Sequence, residues 1–132
     1  TLDQVSQTFS ARLSSWKGQN KFSVSAIGMS MPGTVRMIPA TSQDAIHLRD
    51  IRHQLQDLTG LYRDDIGSYE FHISLGYLRR WYDAEAAATA MNDADALFYR
   101  HMNGSLDLEL GPIQFCTFET MHHFEVDQTL GE

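Results

Sequence analysis

Two residues of suitable type and spacing for proton transfer and anion binding are His72 and Ser74. They lie in an alternating run, residues 69–78, in which every second side chain is apolar. In a strand, the period of two places both side chains on one face, roughly 6 to 7 Å apart. An imidazole exchanges protons near neutral pH, a hydroxyl donates to an anion oxygen, and the bare Gly76 beside them leaves space. The run therefore predicts a small anion site on a strand face.

Three further residues near this run are candidates for contacting a ligand. Arg79 and Arg80 follow it directly and could steer an anion. Tyr77 could stack on a base or reach a phosphate, although its parity assigns it to the apolar face with Tyr69 and Phe71. A His-x-Ser pattern is common in ordinary surface strands. Its position, on a polar face followed by two arginines, is what favours a functional site.

The other five histidines do not predict a metal site. His122 and His123 are adjacent, so a strand would point them to opposite faces. His47 and His53 are six residues apart on a predicted helix and lie nearly on opposite sides of it. His101 continues the apolar stripe of another helix. We expect no metal ion.

The first part of the chain predicts a helix and then a hairpin. Apolar residues at helical spacing run from Leu2 to Trp16, the helix is expected to end near Gly18, and Thr1 with Gln4 is typical of a capping box. Residues 22–31 alternate with a change of phase, which indicates a strand with a bulge or bend at 26–28. Pro32-Gly33 is a turn signal, and a second strand, 34–38, follows it.

The middle of the chain predicts two amphipathic helices on either side of the His72 strand. Thr41, with an acidic residue three positions on, begins the first of them, and Gly60 follows its last apolar position. Asp83 begins the other, which is expected to end at Asn103-Gly104.

The last elements are predicted to be strands 106–110 and 113–117, joined as a hairpin by Gly111-Pro112. The resulting order, α-β-β-α-β-α-β-β, favours an antiparallel or mixed sheet with amphipathic helices on one face, an α+β fold. Because no linker, repeat or low-complexity tract interrupts residues 1–132, we expect a single domain.

Composition narrows the class of protein and its partners. A chain of 132 residues has ten basic and seventeen acidic side chains, a net charge of −7, which argues against binding nucleic acid duplexes or anionic membranes. Small or terminal phosphates remain compatible with that charge. The single cysteine, Cys116, fits a reducing compartment, so we expect a cytoplasmic protein. No apolar run approaches the roughly 18 residues that cross a bilayer.

The segment from His72 to Tyr77 resembles the second signature motif of the two-histidine (2H) phosphoesterases, which include 2′,3′-cyclic nucleotide phosphodiesterases and the so-called 2′-5′ RNA ligases. Flanking sequence, including 115–124, is similar to a little-characterised branch of that superfamily. The resemblance implies two lobes that each carry a His-x-Ser/Thr motif. It implies that one histidine deprotonates the attacking group, the other protonates the leaving oxygen, and the hydroxyls hold the phosphate, without metal or cofactor.

The first of the two motifs is absent from this sequence. None of the other histidines has Ser or Thr two positions on. Three explanations are open: the chain is part of a longer protein, a second polypeptide supplies the other motif, or the site has lost catalysis. Because the sequence begins at Thr1 without a methionine, we expect the C-terminal part of a longer protein whose N-terminal lobe carries the missing motif.

The sequence therefore predicts a phosphoesterase that acts on a cyclic phosphodiester of a nucleotide or RNA end. His72 is expected to be the general acid or base, and Ser74 to hold the phosphate. Tyr77, Arg79 and Arg80 are the expected substrate-binding residues. A noncatalytic module that binds phosphate or RNA ends, and a scaffold domain, are the alternatives.

Overall fold

The computed structural model describes residues 1–102 and 106–131, which form three helices and six strands. The elements are α1 (Leu2–Leu13), β1 (Phe22–Met31), β2 (Thr34–Pro39), α2 (Ser42–Thr59), β3 (Phe71–Ser74), α3 (Ala84–Met102), β4 (Leu106–Leu110), β5 (Gln114–Thr120) and β6 (His123–Thr129). Strands β1 and β2, β2 and β3, and β5 and β6 pair antiparallel. The protein therefore has the α+β fold that the sequence predicts.

The capping residues of the helices are those that the sequence indicates. The Thr1 hydroxyl accepts from the Gln4 backbone amide at 3.3 Å. The Gln4 side-chain Oε1 accepts from the Thr1 amino group at 2.8 Å, which completes the capping box of α1. Thr41 accepts from the backbone amide three residues on, at 3.1 Å, in front of α2. Gly60, with a φ of +74°, follows the end of α2. Asp83 accepts from the Ala86 amide at 2.8 Å and begins α3.

One helix ends earlier than the sequence predicts. Helix α1 ends at Leu13, earlier than the expected end near Gly18. The hydroxyls of Ser14 and Ser15 donate to backbone carbonyls three residues earlier, at 2.7 and 2.8 Å, and this local bonding competes with a continuing helix. The predicted end of α3, at Asn103-Gly104, lies outside the described residues.

The chain divides into two compact units built from interleaved segments. Unit 1 contains residues 1–22, 46–67 and 109–131, and unit 2 contains residues 23–45 and 68–108 apart from the undescribed 103–105. Because each unit draws on separated parts of the chain, no stretch of linker composition marks a boundary in the sequence. The expectation of a single domain stays a prediction.

Unit 1 packs α1 and most of α2 with the β5–β6 hairpin. Its buried core consists of Leu13, Trp16, Ile51 and Leu130. The predicted hairpin between 106–110 and 113–117 is wrong, since β5 pairs with β6 and β4 belongs to the other sheet. Strand β6 is not among the predicted elements, although Phe124 and Val126 alternate there with Glu125 and Asp127, a period typical of a strand.

Unit 2 contains nearly all of the four-stranded sheet, which has the order β3-β2-β1-β4. The predicted hairpin of β1 and β2 is confirmed, and its register shifts between Ala26 and Gly28, where the sequence predicts a bulge or bend. One face of this sheet is apolar: Val24, Ala26 and Met37 are at most 5% exposed. The opposite face carries His72.

Candidate functional site

Strand β3 presents His72 and Ser74 on one face, as the sequence predicts. Both side chains are exposed, whereas Phe71 and Ile73, which alternate with them, are half-buried. The strand is shorter than the predicted run because Ser74 pairs with Thr34, the first residue of β2, and beyond this pair β3 meets the β1–β2 turn and has no partner strand. A strand needs that partner for its backbone hydrogen bonds.

The residues after β3 therefore leave the predicted pattern. Leu75 is 71% exposed and Tyr77 is 51% exposed. The assignment of Tyr77 to the apolar face is wrong, because Tyr77 lines a concavity together with His72 and Ser74. Leu75 donates its backbone amide to the Gly33 carbonyl at 2.7 Å, and the chain then continues as a loop to α3.

One concavity of about 520 Å³ in unit 2 brings the predicted site residues together. His72 and Ser74 line it, as do the three residues expected to bind substrate, Tyr77, Arg79 and Arg80. Its remaining lining residues are Ser30, Met31, Pro32, Thr34, Glu70, Gly76, Leu78 and Trp81. Its volume lies within the range of pockets that hold small molecules, roughly 300 to 1,000 Å³.

Thr34 is a site residue that the sequence analysis misses. It lies directly opposite Ser74, lines the same concavity and is 8% exposed. The bond from the Leu75 amide to the Gly33 carbonyl flanks this pair, which makes it the close, non-hydrogen-bonded kind in which neighbouring side chains approach most nearly. Two hydroxyl side chains therefore lie side by side. Only the pairing of β2 with β3 could have identified Thr34, and single-strand periodicity does not give that pairing.

The His72 ring is oriented by its own strand. Its Nδ1 lies 3.0 Å from the Glu70 carbonyl oxygen. A carbonyl can only accept, so Nδ1 carries the proton in this hydrogen bond. In the neutral imidazole, Nε2 is then left to accept a proton.

Charged side chains of both signs lie near His72. Arg36 is its partner across β2 and β3, and the Arg36 Nη2 lies 3.5 Å from the Glu70 Oε1. Both members of this pair are well exposed, so their attraction is worth at most about 1 kcal/mol. Arg79 and Arg80 lie in the loop beyond β3. Three guanidinium groups and one carboxylate therefore belong to this part of unit 2.

Metal-ligand clusters and membrane-spanning helices are both absent from the described residues. In residues 1–102 and 106–131, no group of three or more His, Cys, Asp or Glu side chains is arranged to hold a metal ion. Within the same ranges, no helix has both the length and the apolar character needed to cross a bilayer.

Comparison with known proteins identifies a solved structure of similar fold. No family model and no curated protein matches the chain. It is similar to the crystal structure of ATU0111, a conserved protein of unknown function from Agrobacterium tumefaciens str. C58, with a TM-score of 0.79 and 24% sequence identity. The match covers 98% of this chain and 55% of that one. The chain therefore spans about half the length of the protein it resembles in fold.

Proposed function

We propose that this chain carries half of a two-histidine phosphoesterase site, which acts on a cyclic phosphodiester of a nucleotide or RNA end. The observation that supports the proposal is the placement of His72, Ser74 and Thr34 on one face of the sheet, in a concavity that Arg79 and Arg80 also line. An imidazole, two hydroxyls and two guanidinium groups suit a phosphate that needs proton transfer and charge stabilisation.

In the proposed reaction, His72 moves a proton at Nε2. The Glu70 carbonyl holds the protonated Nδ1, so Nε2 can deprotonate the attacking water or hydroxyl, or, once protonated, can protonate the leaving oxygen. The hydroxyls of Ser74 and Thr34 donate to the non-bridging phosphate oxygens. Displacement at phosphorus needs a second proton transfer on the opposite side.

The second acid or base is proposed to come from another part of the protein. Of the described residues that line the concavity, His72 is the one histidine. A preceding lobe, or a second chain, would supply the other His-x-Ser/Thr motif to complete the site.

Turnover of a nucleoside 2′,3′-cyclic phosphate tests the proposal. Hydrolysis by the protein should be lost in His72→Ala, because this change removes one of two proton-transfer groups. His53→Ala is the matched control, since His53 is an exposed histidine on α2, in unit 1. Unchanged turnover in His72→Ala would refute the assignment.

A noncatalytic module that binds phosphate or RNA ends is the second candidate. The single imidazole among the described lining residues favours it, because one such group binds an anion but does not complete the acid and base pair. Binding of the cyclic nucleotide by the 132-residue chain without turnover would support this candidate. Neither binding nor turnover would favour a scaffold domain.

A further inference from the structure

We propose that Trp81, together with Tyr77, forms a wall on which the base of the ligand stacks, an inference that rests on the proposed function. Trp81 is 88% exposed, and Tyr77 is 51% exposed. Both line the concavity that contains His72 and Ser74. Exposed tryptophan of this extent is unusual in a folded chain, because the indole is the largest apolar side chain.

The lining of the concavity contains two chemically different sets of residues. The polar and charged set can hold a phosphate and consists of Ser30, Thr34, Glu70, His72, Ser74, Arg79 and Arg80. The apolar set consists of Met31, Pro32, Tyr77, Leu78 and Trp81. A ligand that satisfies both sets has an anionic group and a flat apolar group.

The charge of the site further restricts the chemical class of ligand that fits it. The whole chain carries a net charge of −7, yet Arg79 and Arg80 lie in sequence between the two exposed aromatic residues. An anion with a planar aromatic group is therefore the complementary ligand. A nucleoside phosphate has both, whereas a plain sugar phosphate would leave the indole of Trp81 uncovered.

Any base can stack on an aromatic side chain, because every base presents a π face. Removing such a side chain weakens binding by roughly tenfold, within the range measured for base stacking. The inference therefore predicts that the site prefers nucleosides over base-free analogues, with little preference among the bases.

The experiment compares two ligands on the wild-type chain and two variants. The ligands are adenosine 2′,3′-cyclic phosphate and methyl riboside 2,3-cyclic phosphate, which lacks the base. The wild type should bind the adenosine ligand roughly tenfold more tightly. Trp81→Ala should lose the tenfold preference for the adenosine ligand. Its affinity for each ligand should equal the wild-type affinity for the base-free ligand. Trp81→Phe, which keeps an aromatic face, should retain most of that preference.

Two measurements accompany the titrations. Adenosine ligand should quench the emission of the exposed Trp81, while the base-free ligand should not. Trp16 is 5% exposed in the core of unit 1, so the emission that remains in Trp81→Ala reports whether that unit is folded.

The outcomes separate this inference from the proposed function. Equal binding of the two ligands by the wild type, or equal weakening of both in Trp81→Ala, would overturn the role of Trp81 and leave the phosphate site standing. Failure of both ligands to bind the wild type would overturn the proposed function, and the stacking wall with it.

Discussion

The hydroxyl pair of Thr34 and Ser74 is the residue-scale feature on which the candidate site depends. The two residues are opposite one another in the register of β2 and β3, and Thr34 is almost fully buried. A buried hydroxyl keeps one position more reliably than an exposed one, because its rotamers are restricted by packing. Ser74 and Thr34 together can offer two donors to one phosphate.

Thr34→Val tests the second hydroxyl. The change removes the donor and keeps the branched shape, so affinity for a nucleoside 2′,3′-cyclic phosphate should fall roughly tenfold, the expected effect of losing a hydrogen bond to a charged group. Calorimetric titration measures the change. Thr34→Ser keeps the hydroxyl and should bind nearly like the wild type. Wild-type affinity in Thr34→Val would show that the hydroxyl does not contact the ligand.

At the scale of elements, the turn between β1 and β2 contacts the loop that joins β3 to α3. Gly33 has a φ of +83°, a conformation that side chains with a Cβ rarely adopt, and a Cβ there would lie 3.3 Å from the Gly76 carbonyl oxygen. The Gly33 carbonyl also accepts from the Leu75 amide. This turn therefore positions the start of the loop that carries Tyr77 and Trp81.

Gly33→Ala should destabilise the protein. The left-handed backbone costs a non-glycine residue about 1–2 kcal/mol, and the contact with Gly76 adds to that cost, so the free energy of unfolding should fall by at least about 1 kcal/mol. Chemical denaturation measures it. Gly76→Ala is the control, because nothing lies within 4 Å of a Cβ there. Equal stability of the two variants would contradict the role given to the turn.

The sequence predicts local features well and nonlocal pairing poorly. Alternation within one strand is enough to place His72 and Ser74 on a common face, and the capping residue Asp83 marks the start of α3. Thr34 joins the site only through the pairing of β2 with β3, which depends on residues far apart in the chain. The exposed position of Tyr77 likewise follows from where β2 begins.

At the scale of the whole molecule, separate parts of the chain meet in each unit. Leu130 is 1% exposed in the core of unit 1, near the end of the described residues, and packs in one cluster with Leu13 and Ile51. Its backbone also accepts from Asn20 at 2.9 Å, and its amide donates to the Ile113 carbonyl. The last described segment is therefore an integral part of that core.

Leu130→Ala should strongly destabilise unit 1. Removing a buried leucine side chain leaves a cavity and costs about 2–5 kcal/mol of unfolding free energy. Leu61→Ala serves as the comparison, because Leu61 is 62% exposed in the same unit and should change stability little. Denaturation followed by the emission of the buried Trp16 measures the unfolding of unit 1. A small effect in Leu130→Ala would contradict the core described for it.

The central claim is that a phosphate ligand binds the polar face of the sheet in unit 2, and NMR mapping tests it most directly. The backbone amides are followed while adenosine 2′,3′-cyclic phosphate is added to the 132-residue chain. We predict that the largest shift changes occur at Thr34, His72 and Ser74. Unit 1 has its own concavity, where Asp3 and Glu119 are among the acidic lining residues, and its amides should change little. The largest changes there, or no changes at His72, would contradict the account.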